Sequence, residues 1–377
     1  MYSVYNHWDR LKVCAVGRSY PPEFYSFINN PRLRSLFEKI AIETEEDYQG
    51  LINKLHEFGV ETVRPNVPDI VPEKYYNSGL RIPSPISMNP RDQMIMIGEE
   101  FFIFPYEYNI RKTSGKLPDR LIDDPEGLSL DTKNLVNWWH PIMEKIKSAG
   151  NLVHDYRYED GKLFAVLKNI KVNGITRIGR DLYFGTNDFN VTTVKETIIY
   201  SKTFVKKYLK NKYRTHFIET DGHMDGCFTP VVPGLIVSTY DMGNYEKTFP
   251  GWEVVTFPHR LEVVGDWLKL KKKNNGKWWI ANSENDDELI NFVETWLHDW
   301  LGYVEETVFD VNSLVIDEKN VLVTGYNKIA FDAYERHGVT PHIVPMRHRW
   351  FWDGGLSCAT AELHREGVMQ DWFPERG

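Results

Sequence analysis

The sequence predicts an α/β protein built from five ββαβ-like units arranged in a ring. Three observations predict it. A hairpin, a helix and a strand recur in that order along the chain. The apolar stretch Leu356 to Leu363 reads as a strand with no unit of its own, while the first unit has only one opening strand. Pairing the two would close the ring and remove exposed sheet edges. The 377 residues, 42% of them apolar, are enough for one large domain or two ordinary ones.

In the first unit, Lys12 to Gly17 reads as a buried strand. A helical region follows, with Thr44 and Asp47 resembling a capping box, Leu51, Ile52, Leu55 and Phe58 as its apolar face, and Gly59 as its stop. Val60 to Val63 is the next strand. The second unit opens at Asn89-Pro90-Arg91-Asp92 and continues as a hairpin through Gln93 to Ile97 and Phe101 to Phe104. Its helix, about Asp131 to Ala149, carries Leu135, Trp138, Ile142 and Ile146 on one face, with a kink expected at Pro141. Leu152-Val153 starts its strand.

The third unit is a hairpin from Gly174 to Gly185, a helix from about Val191 to Lys210 and a strand from His216 to Glu219. The fourth turns at Pro233-Gly234 within Cys227 to Ser238 and ends in the strand Trp252 to Phe257. The fifth turns at Asp317-Glu318-Lys319-Asn320 within Val311 to Val323. Its helix runs from Lys328 to His337, stops at Gly338, and leads to a strand from His342 to Val344.

The net charge is −8, which argues against a general nucleic-acid binder with a basic footprint. The three cysteines, Cys14, Cys227 and Cys358, form no CxxC pair, so neither a disulfide framework nor a zinc site is indicated. No signal-peptide core or membrane-length apolar run is present in the sequence, and a cytoplasmic, reducing environment is expected.

Polar residues recur just before the predicted hairpins: Asp92 in the second unit, His223 and Asp225 in the fourth, Asp310 in the fifth, and Cys358 before the closing strand. Singly, each carboxylate reads as a turn or cap residue, and Cys358 as a buried, inert thiol. In a ring these positions converge on the axis and together mark a functional cleft.

These residues resemble those of the amidinotransferase family, which includes glycine amidinotransferase and the inosamine-phosphate amidinotransferases. The resemblance covers nearly the whole chain. It runs from Tyr5-Asn6-His7-Trp8-Asp9-Arg10-Leu11 through Asn89-Pro90-Arg91-Asp92, Gly179-Arg180-Asp181 and Gly222-His223-Met224-Asp225-Gly226 to Asp317-Glu318-Lys319 and Gly354-Gly355-Leu356-Ser357-Cys358. It implies the five-bladed α/β propeller, or pentein, fold in a single domain over residues 1–377. It implies that Cys358 is a nucleophile forming a covalent amidino-thioether, that His223 is the general acid/base, and that Asp92 and Asp225 hold the guanidinium nitrogens. The expected partners are a small-molecule guanidino donor and an amine acceptor, with no metal or organic cofactor, and with homo-oligomers allowed. The chemistry agrees: carboxylates grip a planar, permanently charged guanidinium, and two successive displacements give ping-pong kinetics.

Three positions depart from the family pattern. Lys171 stands where an acid is expected beside the histidine. Pointed into the site, it would cost roughly 4 kcal/mol against a guanidinium about 4 Å away. Asp181 or Asp188 could substitute for that acid, or Asp310 could pair with Lys171. Met242 replaces an arginine that holds a substrate carboxylate, and Asp310 replaces a small hydroxyl residue, so a substrate with an amine or hydroxyl tail fits better than L-arginine held by its carboxylate. The chain also looks longer than the family between about 258 and 305. There the basic-aromatic run Lys269 to Trp279 reads as a solvated turn, with a nucleotide contact or a lid as alternatives, and a helix runs from about Asp286 to Leu301.

The leading function is therefore a cysteine-dependent amidinotransferase. The alternatives are a guanidino-group hydrolase, attack by the same cysteine on another electrophilic carbon such as an amidine or nitrile, and a non-catalytic binding protein.

Overall fold

The computed structural model describes residues 1–67, 70–79, 81–104, 135–155, 162–167, 169–170, 172–186, 194–220, 223–239, 244–257, 286–297, 300, 308–352 and 354–376. Among them fifteen strands form five three-stranded sheets: β15-β1-β2, β3-β4-β5, β6-β7-β8, β9-β10-β11 and β12-β13-β14. Their ranges are β1 Arg10–Val16, β2 Glu61–Val63, β3 Met94–Ile97, β4 Glu100–Ile103, β5 Val153–Asp155, β6 Ile175–Ile178, β7 Asp181–Gly185, β8 Arg214–Ile218, β9 Phe228–Val232, β10 Leu235–Ser238, β11 Glu253–Thr256, β12 Leu314–Asp317, β13 Asn320–Val323, β14 Thr340–Ile343 and β15 Thr360–Glu366.

Every sheet has one pattern. Two strands pair antiparallel, and a third pairs parallel to the middle one. A parallel partner needs a crossover, which is why a longer connection, usually carrying a helix, precedes each third strand. The two antiparallel strands of each sheet are mostly buried, as in Met94–Ile97 and Leu235-Ile236-Val237-Ser238. The third strands are partly exposed.

The first sheet closes as expected. β15 lies antiparallel to β1, from Arg10 opposite Glu366 to Val16 opposite Thr360. The closing strand starts later than the sequence suggested, at Thr360, because Leu356 to Ala359 form a turn that returns Ala359 N–H to the Gly355 carbonyl at 3.0 Å. Cys358 therefore sits in a turn rather than in a strand.

A second correction concerns Thr44. The first helix spans Pro31–Glu57 and is capped by Asn30, whose side chain accepts from Arg32 and Leu33 N–H. Thr44 lies in the middle of this helix and bonds the Ile40 carbonyl at 2.6 Å, so it caps nothing. The helix does end at Gly59, whose φ of +73° suits a residue without a Cβ. The other expected helices are found over Leu135–Ser148, which runs through Pro141, Val194–Tyr208 and Lys328–Arg336.

Of the 258–305 stretch, residues 258–285 lie outside the described residues. The helix predicted there spans Asp287–Trp296, shorter than expected at its C-terminal end, with Asp286 as its cap. It packs Phe292 against Phe27 and Phe37 and ties its first turn to Arg32 through Asp286 and Glu288. Beyond it, Trp300 donates to the Ile82 carbonyl at 2.8 Å. Trp300 also stacks on Trp352, with ring centres 5.6 Å apart. Trp352 ends the short helix Arg349–Trp352 and donates to Thr44 Oγ1.

Among the described residues no helix is long and apolar enough to cross a membrane. Cys14 and Cys227 are buried among apolar neighbours, as expected.

Candidate active site

Three connections that lead into strands carry residues that matter, beside the turn that holds Cys358. The tight turn Pro90–Asp92 precedes β3 and presents Asp92. The one-turn helix Met224–Cys227 precedes β9, with His223 at its cap position and Asp225 in its first turn. The short helix Val308–Val311 precedes Asn312 and β12.

Cys358 is 6% exposed. Its Sγ accepts from Asn312 Nδ2 at 3.1 Å and its thiol donates to Asp225 Oδ2 at 3.5 Å. Asn312 Nδ2 also donates to Asp225 Oδ2 at 3.2 Å. On its other side, Asn312 Oδ1 accepts the N–H groups of Ser357 at 2.9 Å and Cys358 at 3.2 Å. His223 Nδ1 lies 3.8 Å from Asp92 Oδ1.

The electrostatics follow from this packing. Burial pushes the Cys358 thiol well above the usual cysteine range; the negative charges of Asp225 and Asp92 push it further, against the Gly355 and Asn312 hydrogen bonds that favour the thiolate. Beside them, Arg91 is buried and donates to the Ile175 carbonyl at 2.6 Å. Burial lowers its pKa, while Asp225, Asp92 and Cys358 hold it up. A cavity of about 20 Å³, room for one water, is lined by His7, Arg91, Thr176, Asp225, Ser313 and Ser357. His7 Nε2 and Asp225 Oδ1 are buried there without a hydrogen-bond partner among the described residues.

Gly354 and Gly355 precede the turn that carries Cys358. Neither has a positive φ. A Cβ on Gly355 would stand 2.6 Å from Asn312 Oδ1, so this glycine lets the Asn312 amide reach the turn.

The structure thus brings together four residues singled out in the sequence: Cys358, Asp225, Asp92 and His223. Asp310 goes elsewhere. Its carboxylate accepts from Asn327 Nδ2 at 3.0 Å. Burial raises its pKa, against the Asn327 bond and the charge of Arg349. Among the described residues no hydrogen bond or ion pair joins it to Cys358 or Asp225. Lys171 and Met242 lie outside the described residues, as does Asp188. Asp181 is no substitute acid. It is fully buried and committed to Arg214, His216 and Arg376. Sequence reasoning missed Asn312 and Arg91, although Arg91 stood inside a motif already quoted.

No protein-family model matches the chain. Full-length comparisons are more informative. The mitochondrial glycine amidinotransferase of Xenopus tropicalis is 22% identical over 407 aligned residues, covering 98% of this chain and 84% of that protein. Among solved structures, SxtG, an amidinotransferase from Microseira wollei in the saxitoxin biosynthetic pathway, superposes with a TM-score of 0.63 at 16% identity, covering 99% of each chain. The inosamine-phosphate amidinotransferase StrB1 from Streptomyces griseus superposes with the same TM-score, identity and coverage. Along its whole length the chain is similar to the amidinotransferases, and it has the fold of the pentein superfamily to which they belong.

Proposed function

We propose that this protein moves an amidino group from a guanidino donor to a small-molecule amine through a covalent intermediate on Cys358. The observation that carries the reading is a thiol packed against the Asp225 carboxylate at 3.5 Å and close to Asp92, itself 3.8 Å from His223. Among the described residues, the carboxylates of Asp92 and Asp225 outnumber the guanidinium of Arg91 beside them, which suits a cation.

A guanidinium held by Asp92 and Asp225 offsets the negative charge that, with burial, keeps the thiol protonated, so binding favours the thiolate, whose proton passes to His223. The sulfur attacks the central carbon and forms a C–S bond. The tetrahedral adduct expels the donor amine, which takes its proton from His223, leaving an amidino-thioether on Cys358. An acceptor amine then adds to the same carbon and gives its proton to His223, and the C–S bond breaks to regenerate the thiolate. With water in place of the amine, the same steps would hydrolyse the donor.

The same reading makes the chain one domain over residues 1–377, with 258–305 as an added segment. It arranges the five sheets as propeller blades about an axis. In support, the cavity beside Asp225 draws residues from the segments that begin all five sheets: His7, Arg91, Thr176, Asp225 and Ser313.

The test is intact-protein mass spectrometry after mixing with a panel of guanidino compounds, comparing wild type with Cys358→Ala. A gain of one amidino unit on wild type alone is expected, discharged by an amine acceptor. If no donor leaves an adduct while Cys358 still takes a small alkylating agent, amidino transfer is the wrong chemistry. Donor turnover that is indifferent to amines would assign hydrolysis instead.

A further inference from the structure

Asn312 lies in none of the sequence motifs described above, yet its side-chain amide holds the turn that carries the thiol. The amide is planar, with an acceptor on one side and two N–H donors on the other. Its oxygen takes the N–H groups of Ser357 and Cys358, at 2.9 and 3.2 Å. This fixes which way the amide faces, since a flipped amide would point donors at donors. Its nitrogen is thereby aimed at two atoms, Cys358 Sγ at 3.1 Å and Asp225 Oδ2 at 3.2 Å. It also reaches the Asp225 carbonyl at 3.3 Å. Asn312 is 2% exposed, so water does not compete for these bonds. Gly355 leaves the space the amide occupies.

We propose that Asn312 is a positioning residue that fixes the Cys358 sulfur at a set distance from the Asp225 carboxylate, so that a cation gripped by Asp225 presents its carbon to the sulfur. The proposal rests on the reading of Cys358 as the nucleophile. No other residue type of this size does the whole task. An aspartate keeps the acceptor but has no N–H for the sulfur. An alanine loses both. Because the reacting atoms must meet within a fraction of an ångström, a sulfur free to turn away costs on the order of 100-fold in rate. The Nδ2 donor also favours the thiolate, opposing Asp225 and Asp92, so its loss should be visible in the thiol itself.

The experiment measures the rate of Cys358 alkylation by iodoacetamide as a function of pH, in wild type, Asn312→Asp and Asn312→Ala, with modification located by peptide mapping. Asn312→Asp keeps both backbone bonds of the turn and is the variant expected to keep the fold, checked by its melting curve. Both variants should alkylate about tenfold more slowly at pH 8, with the profile displaced to higher pH. In the transfer assay Asn312→Ala should lose about 100-fold in kcat with a much smaller change in KM, since both carboxylates that bind the cation remain and Asp225 loses only its Asn312 bonds. A folded Asn312→Asp protein with the wild-type alkylation profile overturns the proposal.

Should neither variant fold, the wild type decides. The Asn312 side-chain NH2 resonances, assigned by isotope labelling, must move when Cys358 alone is alkylated, and their failure to move overturns the proposal equally. The two readings fail separately. A displaced alkylation profile with no amidino adduct in wild type sinks amidino transfer and leaves Asn312 in its role. An adduct in wild type with an undisplaced profile does the reverse.

Discussion

Cys358 and Asp225 oppose each other in a way that single substitutions can separate. The carboxylate lies 3.5 Å from the sulfur and, with Asp92, raises the thiol pKa. Asp225→Asn should therefore speed Cys358 alkylation at pH 7 by on the order of tenfold, the equivalent of about one pKa unit. The same change removes one of two carboxylates for the cation and should abolish most of the transfer activity. Alkylation kinetics and donor turnover, run side by side, check both halves; a parallel fall in both would show that Asp225 serves the turn rather than the charge. At this scale the sequence was informative where function had left a motif. Cys358, His223, Asp225 and Asp92 were all legible as polar residues just before a hairpin. Asn312 obeys the same rule and was still missed. It stands two residues before β12, as Asp92 stands two residues before β3. Finding it required the strand start to within one residue, which sequence patterns do not fix. Asp310, two positions earlier, drew the attention because it carries a charge.

At the scale of elements, the helix Asp287–Trp296 and the residue Trp300 beyond it show what this part of the chain packs on. Trp300 is 3% exposed and lies among Tyr20, Phe24, Tyr25 and Trp352. Trp352 in turn is anchored to Thr44 in the first helix and sits shortly before the turn that carries Cys358. Trp300→Ala should cost about 3 kcal/mol or more, from the lost aromatic volume and the Ile82 carbonyl left without its indole partner. Urea unfolding measures it, and a change under about 1 kcal/mol would mean the segment merely rests on the surface. The sequence placed a helix from about Asp286, but not what it packs on, since the contact joins residues far apart in the chain. Thr44 illustrates the converse. A local capping pattern was present, and a 27-residue helix ran straight through it because its buried face outweighed a cap.

Over the whole molecule, the buried thiols set an alkaline limit. Cys14 is fully buried in β1, and burial raises its pKa from 9.0 to about 12. A group whose folded pKa is raised stabilises fully below its unfolded value and loses that contribution as pH rises toward the folded one. Cys14 therefore costs nothing below pH 9, about 1.4 kcal/mol by pH 10, and up to ~4 kcal/mol at pH 12. Cys14→Ala should flatten the fall in melting temperature between pH 9 and 11, and an unchanged slope would place that loss on other groups, such as the buried tyrosines. The fivefold order of elements was readable because each unit repeats one period of apolar residues. The ionic cluster of Arg177, Glu362 and Arg365 on the sheets was not readable, since charged residues in a strand look like a solvated face until their partners are placed.

The pairing of β15 with β1 carries a consequence for how the protein comes into being. Arg365 donates to the Asp9 carbonyl across 356 residues, and closing a loop of that length costs roughly 3 kcal/mol more entropy than closing one of ten residues. A ribosome delivers β1 long before its partner, and until β15 is made β1 offers an unsatisfied edge to any passing strand. Cys358 lies in the turn that leads into β15, so its thiol meets Asn312 and Asp225 only when this long-range pairing forms. A half-made chain thus lacks the assembled site, and its window of exposure to proteases and aggregation ends when that site is completed.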